Sequence, residues 1–211
     1  MDKLANLAQL LQQSIHDNIG FFIRLYVLLS IILFVNFKSH YRLSIFGIIP
    51  RHLFGLIGIP FAPFLHAHFN HLFFNFFPFF ILSLMLIPYG FGFYWQLLWL
   101  LIFISGIGIW LFGRTGIHIG ASALVTALWG FLVMNMFYNP NILSVLNGVI
   151  CIYYFFGIFL GILPSEDKVS WEGHLIGLIS GAGLYWLSSH VQAIGAVVFS
   201  QGILIHCPLP G

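Results

Sequence analysis

Charged side chains are nearly absent from this sequence. Its 211 residues include 7 Lys and Arg and 5 Asp and Glu, 6% in all, where an ordinary soluble domain carries about 25%. So few charges cannot solvate a globule of this size. With 60% of the residues hydrophobic, the class this leaves is an all-α polytopic membrane bundle. The formal net charge of +2 is too small for a nucleic-acid partner. Cysteine is scarce as well. Cys151 and Cys207 stand far apart in no metal spacing, which excludes a disulfide framework. A polar stretch of roughly twenty residues precedes the first apolar run, and no small-residue cleavage site follows it, so no cleaved signal is expected.

The acidic residues are Asp2, Asp17, Glu166, Asp167 and Glu172, and none falls mid-span. Aspartyl chemistry within a membrane needs two buried carboxylates, so it is excluded. The His-Glu-x-x-His pattern of a zinc protease is missing. A transporter would need mid-membrane charges on its ion path, and these are missing too.

What is present is a series of apolar spans. Leu4, Leu7, Leu11 and Ile15 share a helical face, so residues 1–18 are expected as a helix on the membrane surface. Residues 19–190 form the membrane domain. Its spans are expected near 19–37, 61–87, 93–112, 118–138, 142–163 and 171–189, with residues 38–60 as a loop. Residues 191–211 form a last apolar segment, a possible seventh, peripheral or interfacial one. Short hairpins make the second, fourth and sixth spans parallel. Residues at similar distances from their starts then lie at similar depth.

Polar groups in spans are costly and need a reason. Ser122 lies near the start of the fourth span and His174 near the start of the sixth, where they can pair as nucleophile and base. Glu172, two residues before His174, points elsewhere on a helix and supplies no third member. Ser122, Thr126 and Gly130 form a small stripe, and Gly173, Gly177 and Gly181 form a small-xxx-small ladder. Such stripes let helix backbones approach closely in lipid. His71 and Asn75, four apart, share a face and can donate to an oxyanion together with backbone N–H groups at Ala121 and Ser122. His66, His68 and His71 invite a metal reading. The remaining histidines are too scattered to complete a site, so no metal is assigned and His66 and His68 are expected at the water-accessible mouth. No cofactor is implied.

At these residues the sequence resembles the rhomboid family of intramembrane serine proteases. "HLFFN" (His71 to Asn75) is similar to the family's His-x-x-x-Asn, "GASA" (Gly120 to Ala123) to its Gly-x-Ser-Gly, and "GHLIGLISG" (Gly173 to Gly181) to its His-x-x-Gly-x-x-x-Gly. The loop "GIIPRHLFGLIGIPFAPFLH" resembles a prokaryotic branch. The resemblance implies a six-helix core with a short, central fourth helix. It implies Ser122 as nucleophile, His174 as base, and His71, Asn75 and the backbone near Ser122 as oxyanion donors. It implies single-span membrane proteins as substrates, lipid as surroundings and a bacterial inner membrane as location. Ala123 and Thr126 depart from the family pattern, and the first-loop Trp-Arg pair is missing. The alternative is a silent relative that binds transmembrane segments without cutting them.

Overall fold

The computed structural model describes residues 2–157 and 171–193. The helices are α1 (Asp2–Lys38), α2 (Leu53–Phe61), α3 (Phe69–Leu86), α4 (Phe91–Phe112), α5 (Ser122–Tyr138), α6 (Ile142–Tyr154) and α7 (Trp171–Ala193). Among the described residues the chain is all-α. Its extended pairing there is an isolated antiparallel bridge between Ile48 and His118. The stretches Ile15–Lys38, Phe69–Tyr89 and Phe91–Phe112 are long and apolar enough to cross a membrane. Their lipid-ready faces, with Ile23, Phe74 and Phe103 exposed, fit an integral membrane protein.

α5 is the axis. It has 17 residues and is buried continuously from Ala123 to Leu132. Its length is about 25 Å, short for a bilayer crossing. α7 packs on it most extensively, and α6, α3 and α4 surround it. The glycines explain the closeness. A Cβ on Gly177 would overlap the Ala123 carbonyl and Thr126 Oγ1, and one on Gly181 would overlap the Ala127 carbonyl. On the other side, a Cβ on Gly130 would lie 2.9 Å from the Leu178 carbonyl. Residue numbers rise together along both helices, so α5 and α7 are parallel, as the hairpin argument requires.

Several boundaries differ from the sequence expectations. Residues 2–38 form one helix with no break between a surface segment and a span. Nothing interrupts the helical pattern there, since the first glycine is Gly20 and no proline occurs. The expected loop at 38–60 contains a 3₁₀ turn, Arg42–Phe46, and most of α2. The second span starts at Phe69 rather than 61. The apolar run from Phe61 onward first passes through the 3₁₀ turn Ala62–Phe64, which carries Pro63. α7 continues past 189 to Ala193. The expected ends of the fifth span and of the seventh segment fall outside the described residues.

Candidate active site

Three helix starts meet at one end of the bundle. α3 brings His71 and Asn75, α5 opens with Ser122, and α7 carries His174 as its fourth residue. The chain reaches α5 through Gly120, whose φ of +111° is one that side chains other than glycine's rarely adopt. Space also demands glycine there. A Cβ would lie 2.5 Å from His71 Nε2 and 3.4 Å from Asn75 Nδ2. Both donors expected from the sequence therefore converge on the turn two residues before Ser122.

Asn75 is 7% exposed, and its Nδ2 has no hydrogen-bond partner. A buried amide left without a partner costs about 1–3 kcal/mol. Native structures keep such groups rarely, and often where function uses them. The α5 N-terminus adds to this. Ala121 is its N-cap and supplies no side-chain bond. The first rung of the helix runs from the Val125 amide to the Ala121 carbonyl at 2.9 Å. The amides of residues 122–124 thus lie ahead of the helix's own ladder, with the positive end of its dipole.

Ser122 is half-buried, and the next residue, Ala123, rests its carbonyl on Gly177. His174 is also half-buried, three residues before Gly177 on the same face of α7. Gly173, the first of the ladder, is buried at the start of α7. Thr126, 2% exposed, bonds back to the Ser122 and Ala123 carbonyls, each at 3.0 Å. A bulkier side chain at that position would strike Gly177, so the departure from the family pattern fits this helix crossing.

His66 corrects an expectation. It is 1% exposed rather than at the watery mouth. The backbone after the 3₁₀ turn carries it under His71, with ring centroids 5.1 Å apart. Burial, and then the neighbouring His71 charge, lower its pKa to about 3. His68 is exposed, as expected.

Residues 50–191 match the Rhomboid domain family. The chain belongs to the rhomboid family. It is 33% identical over 174 residues to an uncharacterized protein of Mycobacterium tuberculosis, covering 77% of this chain and 71% of that one. The same figures hold for an uncharacterized protein of Mycobacterium bovis. An uncharacterized protein of Mycobacterium leprae is 33% identical over 144 residues, covering 64% of this chain and 57% of its own length.

Sequence reasoning missed the brackets around this rhomboid site. Arg114, in the loop leading to Ser122, pairs through Nε with Glu172 Oε1 at 3.3 Å, which ties that loop to the first turn of α7. Glu172 thus meets a partner 58 positions earlier that no local pattern reveals. Arg51 donates through Nη1 to the Gly113 carbonyl at 2.8 Å and so closes the C-terminus of α4. The Gly120 amide donates to the Ala62 carbonyl at 2.9 Å.

Proposed function

We propose that this rhomboid is an intramembrane serine protease that hydrolyses peptide bonds of single-span membrane proteins. The observation that carries the reading is the convergence of His71 Nε2 and the unpartnered Asn75 Nδ2 on Gly120, beside the uncapped start of α5. Donors held where negative charge develops are the largest single contribution in many acyl-transfer enzymes.

Ser122 Oγ attacks the scissile carbonyl while His174 takes its proton. The carbonyl oxygen becomes an oxyanion and accepts from His71 Nε2, Asn75 Nδ2 and the backbone N–H groups at Ala121 and Ser122. Collapse expels the amine, which takes the proton from His174 and leaves an acyl-Ser122 ester. Water, deprotonated by His174, then attacks the ester and regenerates Ser122. The chemistry calls on no cofactor and no metal. The short α5 helps, because a serine at the start of an undersized central helix lies at the end where three helix starts meet loops. The protein is a multi-pass component of a bacterial inner membrane, with lipid and single-span proteins as its partners.

Cleavage of a single-span reporter, together with labelling of Ser122 by a fluorophosphonate, tests the reading. Both are expected in the wild type and lost in Ser122→Ala. A wild type that retains the reporter but neither cuts it nor takes the label would instead be the silent, segment-binding relative.

A further inference from the structure

α3 opens on an uncommon cap. N-cap positions favour Ser, Thr, Asp and Asn, but here the position belongs to His68. Its Nδ1 accepts from the His71 amide at 3.0 Å. His71 reaches back in turn, and its own Nδ1 accepts from the Ala67 amide at 3.4 Å. An N-cap side chain on the N3 amide, with the N3 side chain returning to an amide ahead of the helix, is the reciprocity of a capping box. Two imidazoles do here what a hydroxyl and a carboxylate usually do.

The donors decide the protonation states. A backbone N–H only donates, so each Nδ1 must offer a lone pair. Both rings are then neutral and carry their proton on Nε2. In His71, Nε2 is the nitrogen that faces Gly120. The opposite tautomer would present a lone pair to the same place and repel an oxyanion.

We propose that His68 is a positioning residue: with His71 it forms a histidine capping box that holds His71 as its Nε2–H tautomer. The other groups around His71 do not supply this cap. His66 packs beneath it, and burial keeps that ring neutral down to about pH 3. α1 presents Tyr26 against Phe76, deeper in the bundle. α5 opens with Ser122, Ala123 and Leu124, none of which titrates here.

The activity arm of the test rests on the protease reading, and the tautomer arm does not. NMR of isotope-labelled histidine in the full-length protein, with His71 assigned by loss of its signal in His71→Gln, reads the tautomer directly. At about pH 7.5, His71 is expected as Nε2–H in the wild type and in His68→Ser, which keeps a capping oxygen, and as a mixture in His68→Ala. His71 in the Nδ1–H form in the wild type, or unchanged in His68→Ala, overturns the proposal. In the activity arm, His68→Ala is expected to cleave the reporter several-fold more slowly, and His68→Ser to restore most of that loss. A wild type that cuts no reporter would count against the protease reading and leave the tautomer to decide this one.

Discussion

α5 and α6 begin in opposite ways, at opposite ends of the bundle. α6 starts with a full capping box. Asn141 Oδ1 accepts from the Ser144 amide at 3.0 Å, and Ser144 Oγ accepts from the Asn141 amide at 2.9 Å. α5 starts on Gly-Ala-Ser with no side-chain cap. The difference extends to the surroundings. Near the α6 start, Asn135 donates to Tyr89 OH at 3.0 Å and accepts from Tyr185 OH at 2.9 Å, while Asn147 donates to the Met85 carbonyl at 3.1 Å. That network satisfies its members and ties helices together. Near the α5 start, the Asn75 amide has no partner and backbone donors lie ahead of the ladder. One end of the bundle pairs its polar groups, and the other leaves donors open.

The comparison breaks most sharply at His174. His174→Ala should abolish reporter cleavage about as fully as Ser122→Ala, because nucleophile and base act as a unit. The double variant should be no worse than either single, and the melting temperature should stay within a few degrees of wild type. Clear residual turnover would point to another base.

Next in size is Gly120→Ala. Its methyl would meet His71 Nε2 in a backbone conformation hostile to side chains. Displacing an oxyanion donor costs roughly 100–1,000-fold in rate, so kcat should fall by about that much. A wild-type kcat for this variant would remove His71 from the oxyanion site.

At the closed end the effect should appear in stability. Asn135→Leu leaves the buried Tyr185 hydroxyl without its acceptor, at a cost of about 1–3 kcal/mol. The melting temperature should drop, while cleavage well below the transition stays near the wild-type rate. Loss of cleavage without loss of stability would mean that the two ends are coupled, and the division drawn above would fail.

The smallest effect belongs to Ala123→Gly. Ala123 is 9% exposed, and its carbonyl meets Gly177. Removing the methyl relaxes the turn beside Ser122, against a helix-propensity cost of at most about 1 kcal/mol. Initial rates in detergent should hold steady or rise slightly. A large loss at an unchanged melting temperature would show that the methyl supports the site.

The residues that matter were easier to read than the elements that carry them. α4, expected at 93–112 and found at Phe91–Phe112, is an unbroken apolar run between Gly90 and Gly113. The start of α3 was hidden, because Phe61, Phe64 and Leu65 carry an apolar pattern ahead of the helix across the 3₁₀ turn. Only the histidine cap at 68 marks the boundary, and imidazole is not a residue that cap rules favour. That Ser122, His174, His71 and Asn75 gather at one end of the bundle was legible from residue type and common depth. Asn75's missing partner, the depth of His66 and the Arg114–Glu172 bracket were not. Each depends on contacts between segments distant in the chain.

The contact of Gly177 and Gly181 with α5 has a mechanical consequence. Most of what presses on these glycines is main chain, the Ala123 and Ala127 carbonyls, with the Thr126 hydroxyl, itself bonded back to its own helix, beside them. α5 and α7 therefore resist sliding or parting, and the spacing of the helices that carry Ser122 and His174 is set at this seam. α6 meets α5 differently, through a side chain: Trp129 Nε1 donates to the Cys151 carbonyl at 2.9 Å. A joint of that kind depends on a rotamer, where the α5–α7 seam depends chiefly on backbone.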